Sequence, residues 1–83
     1  ITDAGLSHLK GVQVINLNGC NITDDGLHHL KGVHKIDISY CKKITDNGLK
    51  HLKGVHTIDL SGCEKVTNDG LKHLKGVRNI TLY

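Results

Sequence analysis

The chain has 83 residues, a formal net charge of +3 and no Phe, Trp, Met or Pro. This length suffices for one small domain, and so mild a positive charge argues against a dedicated nucleic-acid-binding protein. No apolar run approaches the roughly 18 residues of a membrane span, so we expect no membrane contact. Any core must be built mainly from Ile, Leu and Val, which suits a thin, layered structure.

The chain divides into four similar units, each containing the run Gly-Leu-x-His-Leu-Lys-Gly-Val. The units cover about 1–21, 22–43, 44–65 and 66–83. A recurrence of about 22 residues is typical of stacked repeats, in which each repeat is one supersecondary unit. We therefore interpret residues 1–83 as a single repeat domain, either a fragment of a longer array or an array without capping units.

The first half of each unit predicts a short helix. In the second unit, Thr23 and Asp24 offer an N-cap and an acidic first turn. Leu27 and Leu30 are three residues apart and share one helical face. Gly32 ends the segment, since glycine tolerates the left-handed conformation beyond a helix. A helix of about two turns is too short to be stable alone, so neighbouring units must hold it.

The second half of each unit predicts a strand. Residues 35–39, Lys-Ile-Asp-Ile-Ser, alternate polar and apolar side chains, which indicates a short strand with one buried face. A helix and then a strand, repeated along the chain, place parallel strands on one side and helices on the other.

The combined pattern resembles the leucine-rich repeat. The run Val33-x-x-Ile36-x-Ile38-x-x-Cys41 matches its strand half, and Ile44-Thr45-Asp46-x-Gly48-Leu49-x-x-Leu52 matches the helix half of its cysteine-containing subclass. That subclass occurs in F-box/LRR proteins and in similar bacterial and large-DNA-virus repeat proteins. The units of this chain are shorter than is usual in that subclass, and Lys-Gly-Val forms the link between helix and strand. The sequence contains no F-box segment. The resemblance implies an α/β solenoid, a leucine-rich repeat arc with a parallel β-sheet on the concave face and short helices on the convex face.

The cysteines and histidines also recur in register. The three cysteines form no C-x-x-C pair, which argues against a zinc site or a disulfide scaffold. We therefore predict no cofactor, and free thiols in an intracellular, reducing compartment, either cytoplasmic or nuclear. The resemblance implies that Cys20, Cys41 and Cys63 point inward and bond the loop backbone. The recurring histidines predict a stack of rings along the helices, formed by His8, His29, His51 and His73.

The outward-facing strand residues form the predicted binding site. The resemblance implies that partners dock on this concave face, so we predict a protein–protein interaction module with an unknown protein partner. The predicted site consists of His34, Lys35, Asp37, Ser39, His56, Thr57, Asp59, Ser61, Arg78, Asn79, Thr81 and Tyr83.

An enzymatic alternative rests on the same face. Strand spacing places Asp37 and Asp59 about 5 Å apart, as in the carboxylate pair of retaining glycosidases, and His34 and His56 could supply a base or metal ligands. A flat ribbon of short strands, however, offers no enclosed, water-free site. We therefore predict that the chain is not an enzyme.

Two further alternatives stay open. Lys10, Lys31, Lys53 and Lys75 form a basic column that could bind nucleic acid weakly, although lysine at helix ends also serves the helix dipole. The outermost units carry the same apolar residues as the inner ones, so a self-assembling or designed repeat scaffold with head-to-tail association is the other alternative.

Overall fold

The computed structural model describes residues 2–82, and within them each unit forms one α-helical turn, one 3₁₀ turn and one strand. The α-helices are α1 (Asp3–Leu6), α2 (Asp24–Leu27), α3 (Asp46–Leu49) and α4 (Asn68–Leu71). The 3₁₀ segments that follow them are Ser7–Leu9, His28–Leu30, Lys50–Leu52 and Lys72–Leu74. The strands are β1 (Val14–Asn16), β2 (Lys35–Asp37), β3 (Thr57–Asp59) and β4 (Asn79–Thr81). The predicted α/β solenoid of the leucine-rich repeat type is confirmed.

The strands form one parallel sheet in the order β1-β2-β3-β4, which is also their order in the chain. The register pairs Ile15 with Ile36, Ile36 with Ile58 and Ile58 with Ile80. Because side chains alternate along a strand, these isoleucines all point to the helix side. The short helical segments supply the crossover that parallel strands require.

The core is a continuous layer between the sheet and the helices. Its fully buried large side chains are Leu6, Leu17, Ile22, Leu27, Leu30, Ile38, Ile44, Leu49, Leu52, Ile58, Leu60 and Leu74. The second and third units are covered on both sides, so Ile36 and Ile58 are only 3% and 0% exposed. Within residues 2–82, no helix is long and apolar enough to span a membrane.

A carboxylate at the start of each of α1, α2 and α3 bonds to the next unit. Asp3 accepts hydrogen bonds from the Thr23 backbone N–H (2.8 Å) and from the Thr23 hydroxyl (2.5 Å). Asp24 accepts the same pair of bonds from Thr45. Thr23 occupies the predicted N-cap position of α2, but its side chain makes no cap bond there. The equivalent hydroxyls of Thr45 and Thr67 donate to the preceding unit and also accept a cap bond, from Asn47 N–H (3.3 Å) and Asp69 N–H (3.2 Å).

The glycine column of the helices leaves room for these carboxylates. A Cβ atom on Gly26 would collide with the Asp3 carboxylate, and one on Gly48 would collide with that of Asp24. Since a methyl group would push the two helix starts apart, the recurring glycine permits close stacking of successive units.

The link between helix and strand adopts two conformations. Gly11 and Gly32 have φ of +84° and +87°, as the sequence predicts for a glycine after a helix. In the last two units, the lysine before the glycine is helical, with φ −56° and ψ −33° at Lys53, and Gly54 is not left-handed. The same Lys-Gly pair therefore closes the helical segment in two ways.

Candidate partner-binding surface

The strand face is the side of the sheet that points away from the helices, together with the residue that precedes each strand. Its exposed predicted residues are His34, Lys35, Arg78 and Asn79. Its half-buried predicted residues are Asp37, His56, Thr57, Asp59 and Thr81. Tyr83, also predicted for this site, lies outside the described residues.

Two predicted residues, Ser39 and Ser61, do not belong to the exposed surface. They are only 2% and 5% exposed, so their assignment to the binding face is wrong. The strand alternation behind that assignment stops at Asp37, where β2 ends and the chain turns inward. The Ser39 hydroxyl folds back to donate a hydrogen bond to Asp37 Oδ1 (2.5 Å) and accepts one from Asn18 Nδ2 (2.6 Å).

The strand-end carboxylates also stabilise the turns that follow them. Asp37 Oδ1 accepts a hydrogen bond from the Ser39 backbone N–H (2.9 Å), and Asp59 Oδ1 accepts one from Ser61 N–H (2.9 Å). This is the local side-chain-to-backbone bond by which Asp and Asn favour turns. Asp37 and Asp59 are register partners in adjacent strands, so they form a short acidic row with a structural role.

A shallow groove of about 300 Å³ crosses the strand face. It is lined by Val14, Ile15, Asn16, Lys35, Ile36, Asp37, Thr57, Ile58, Asp59 and Thr81. Val14 is 62% exposed. The predicted set omits Val14 and Asn16, although their register with Lys35 and Asp37 places them in the same columns. The alignment of the repeats was therefore sufficient to include Val14 and Asn16 in the predicted site.

The starts of the strands are basic or titratable. The rings of His34 and His56 stack with centroids 4.6 Å apart and an interplanar angle of 20°. His56 Nδ1 lies 2.8 Å from Thr57 Oγ1. Lys35 and Arg78 expose their cations in the same region. Asp37 and Asp59 lie at the opposite ends of their strands. The strand face therefore carries positive charge at the starts of its strands and negative charge at their ends.

The predicted stack of helix-side histidines is not continuous. Among residues 2–82 the ring pairs on this side are His28 with His29 at 4.0 Å and His28 with His51 at 6.1 Å. His29 Nδ1 is buried without a hydrogen-bond partner. Desolvation by burial, assisted by neighbouring positive groups, lowers the pKa of His29 and that of His51.

The predicted inward orientation of the cysteines is confirmed for Cys41 and Cys63. The Cys41 thiol donates a hydrogen bond to the Leu17 carbonyl (3.1 Å), and the Cys63 thiol donates one to the Ile38 carbonyl (3.0 Å). Burial raises the pKa of Cys41 to about 11. Cys20 is only half-buried. In the described part of the chain, no group of three or more His, Cys, Asp or Glu side chains could hold a metal ion.

Tyr40 departs from the repeat pattern at the turn after β2. Its φ is +61°, a left-handed value that a bulky residue rarely adopts. Glycine takes the same conformation at Gly19 and Gly62. A Cβ atom on Gly62 would collide with the Tyr40 ring, so the ring lies directly over the turn of the next unit while remaining 57% exposed.

The repeat geometry agrees with a family comparison. The family model described as Leucine Rich repeat matches residues 12–31, 33–53 and 55–75. The chain belongs to the leucine-rich repeat family. Each match begins just before a strand and runs through the following helix. Leucine-rich repeats generally mediate protein–protein interactions and typically act as non-enzymatic binding modules. None of the curated proteins matches the chain.

Proposed function

We propose that this leucine-rich repeat chain binds a partner protein through its strand face. The groove of about 300 Å³ is the observation that supports this proposal. Val14 contributes an exposed apolar side chain to the groove, and Asn16, Lys35 and Asp37 contribute polar side chains. Protein interfaces commonly combine buried apolar contacts with a polar rim.

The charge distribution favours one orientation of the partner. The partner would meet complementary charge at both ends of the strands if it carried acidic groups opposite Lys35 and Arg78. It would also need basic groups opposite Asp37 and Asp59. Such complementarity contributes more to specificity and association rate than to affinity. Burial of the exposed Val14 side chain by the partner would add an apolar contribution to the binding free energy.

The buried thiols support a finer assignment within the family. Cys41 and Cys63 each bond a carbonyl of the preceding unit, as the resemblance to the cysteine-containing subclass implies. We extend the proposal to that subclass. The free thiols also favour a reducing, intracellular compartment.

The test compares two variants with the same change of charge. Val14→Glu with Lys35→Glu alters exposed residues on the strand face. Asn47→Glu with Lys53→Glu makes the same change on exposed residues of the helix side. Asp37 and Asp59 stay intact because they hold turns. Partners captured from a lysate by crosslinking are identified, and the leading one is purified and titrated by calorimetry.

We expect the strand-face variant to weaken binding at least tenfold, which corresponds to about 1.4 kcal/mol, while the helix-side variant binds like the unmodified chain. The opposite result would overturn the proposal. Loss of binding in the helix-side variant, with steeply salt-dependent affinity for duplex DNA or RNA, would instead support the nucleic-acid alternative through the lysine column.

A further inference from the structure

The segments that lead into the strands bring two histidines together. His34 comes directly before β2 and His56 directly before β3. Their rings stack with centroids 4.6 Å apart at an interplanar angle of 20°. Both residues belong to inner units, because β2 and β3 each have a strand on both sides. The pair is therefore a product of the internal stacking of the repeats.

Backbone hydrogen bonds fix the positions of both histidines. The His34 N–H donates to the Gln13 carbonyl (2.8 Å), and the His56 N–H donates to the His34 carbonyl (2.8 Å). The His56 carbonyl in turn accepts a hydrogen bond from the Arg78 N–H (3.1 Å). Because the two histidines are joined through the main chain, their relative position is set before any ligand arrives. Such preorganisation reduces the entropy lost on binding.

The ring nitrogens of the pair are available to a ligand. His34 is exposed and His56 is half-buried. His56 Nδ1 lies 2.8 Å from Thr57 Oγ1, which orients the ring and leaves Nε2 for another partner. Among residues 2–82, the histidine rings that make hydrogen bonds are those of His28 and His56. The His34 ring can therefore donate to an acceptor outside the described chain, and a protonated ring donates from both nitrogens.

The charged groups around the histidine pair are cations. Lys35 follows His34 at the start of β2, and Arg78 takes the position of His56 in the next unit. Further cations precede each histidine by three residues, at Lys31 and Lys53. The uncharged neighbours at the strand starts are Gln13, Thr57 and Asn79. The ion pairs of residues 2–82 join Lys42 with Glu64 and Lys72 with Asp69, so the cations near the pair have no carboxylate counterion in the described chain.

An anion would remove the electrostatic cost of protonating this pair. Histidine is the side chain whose charge ordinarily changes between about pH 5 and pH 8. Two protonated rings stacked at 4.6 Å repel each other, and the neighbouring Lys35 adds to the repulsion. A carboxylate bound at the ring nitrogens would attract all three charges. Its binding and the protonation of the rings therefore favour each other, because such coupling is reciprocal.

The charge pattern of the strand face favours a protein segment over a nucleic acid as the source of this anion. Asp37 and Asp59 lie at the strand ends, roughly 10 Å along the strands from His34 and His56. A phosphate backbone that crosses the strand face would meet these carboxylates. A peptide can instead place an acidic side chain at the histidines and a neutral or basic one at the aspartates.

We propose that His34, His56 and Lys35 form the docking point for an aspartate or glutamate side chain of a partner protein, and that the partner binds more tightly as the pH falls because its carboxylate stabilises the protonated rings. The inference rests on strand-face binding as the proposed function. It adds which end of the strands receives the acidic group and how pH controls the contact. Each proton taken up on binding changes the affinity by up to about tenfold per pH unit.

A model peptide tests the docking point without the partner. The probe is tetraglutamate with blocked ends, and tetraglutamine with the same blocked ends is the matched control. Nuclear magnetic resonance titrations of the ¹⁵N-labelled chain at about pH 7.5 and about pH 6.0 measure the affinity and identify the residues that respond. Glutamate side chains stay mostly ionised at both pH values, so a change in affinity originates in the chain.

Two double variants carry the same substitutions at different places. His34→Gln with His56→Gln removes the titratable pair and retains polar side chains of similar size. His8→Gln with His28→Gln removes two exposed histidines of the helix side. The second variant controls for the general rise in positive charge on acidification. Circular dichroism verifies that all chains are folded at both pH values.

We expect tetraglutamate to bind the unmodified chain at least threefold more tightly at the lower pH, with the largest shifts at His34, Lys35 and His56. The helix-side variant should keep this dependence, whereas the variant that lacks the stacked pair should lose it and bind weakly through Lys35. A pH dependence that persists without the stacked pair would refute the proposal. Equal binding of tetraglutamine, or no binding of tetraglutamate at either pH, would refute it as well.

The purified partner separates this inference from the proposed function. If the partner binds equally well at both pH values and is still weakened by Val14→Glu with Lys35→Glu, strand-face binding stands and the role of the histidine pair is refuted. A partner that binds more tightly at the lower pH only when His34 and His56 are present supports that role. A short oligothymidylate that binds the same residues more tightly than tetraglutamate would refute the choice of an acidic protein segment.

Discussion

Asp46 accepts two hydrogen bonds from Thr67, one from the backbone N–H (2.6 Å) and one from the hydroxyl (2.5 Å). These bonds hold the pKa of Asp46 below its ordinary value. Asp24 bonds Thr45 in the same way. The starts of α2, α3 and α4 are therefore each fixed by the carboxylate of the unit before.

The carboxylate link predicts a difference between two neighbouring aspartates. Asp24→Ala removes both bonds to Thr45 and should lower the free energy of unfolding by about 1.5–3 kcal/mol, the range for hydrogen bonds to charged groups. Asp25→Ala is the control, because Asp25 is exposed and its side chain makes no hydrogen bond among the described residues. Urea titrations at neutral pH measure both. Equal effects of the two substitutions would contradict this role for Asp24.

Two glycines of the third unit, Gly48 and Gly54, should respond in opposite ways to substitution by alanine, one with a loss and the other with a gain of stability. A Cβ atom on Gly48 would lie 3.0 Å from Leu27 Cδ1 and would collide with the Asp24 carboxylate. Gly48→Ala should therefore destabilise the chain by about 1–3 kcal/mol. Gly54 has no atom within 4 Å of such a Cβ and no left-handed φ, so Gly54→Ala should stabilise by about 0.4–1 kcal/mol. Thermal unfolding measures the stability of both variants, and a destabilised Gly54→Ala chain would contradict the prediction that a methyl group is accommodated at this position.

The two half-buried histidines His29 and His51 predict that acid destabilises the fold. The pKa of His29 and that of His51 lie below the ordinary value of 6.5 in the folded chain. As the pH falls, the unfolded chain therefore binds protons first, so their contribution to stability is present above pH 6.5 and is lost as the pH falls through the folded pKa values. The urea midpoint should drop between about pH 7.5 and 5.5. His29→Gln with His51→Gln should flatten this dependence, whereas His8→Gln, at an exposed position, should leave it steep.

The thiols should differ in reactivity. Cys41 is 0% exposed and burial raises its pKa to about 11, whereas Cys20 is half-buried. Since the thiolate is the reactive form, DTNB should modify Cys20 first and reach Cys41 and Cys63 only when the chain opens. A Cys20→Ser variant should lose the fast phase. Three thiols that react at one rate in the folded chain would contradict the inward orientation.

The repeated pattern was sufficient to predict the fold but not every side-chain position. Equivalence between units correctly aligned the strands, since Ile36 and Ile58 had to share one column. It failed for Ser39 because alternation was extended beyond the strand end, where turn geometry governs direction. It also did not predict that the Thr23 hydroxyl donates to Asp3, because Asp3 belongs to another unit and comes close to Thr23 only when the units stack.

The order of the strands has a mechanical consequence. The sheet follows the chain order from β1 to β4, and each internal strand is hydrogen-bonded only to the strands of adjacent units. A pulling force applied between the two ends of the chain can therefore detach an outer unit while the others remain stacked. We expect the molecule to lengthen in separate steps, one unit at a time, because within residues 2–82 each strand pairs only with the strands of adjacent units.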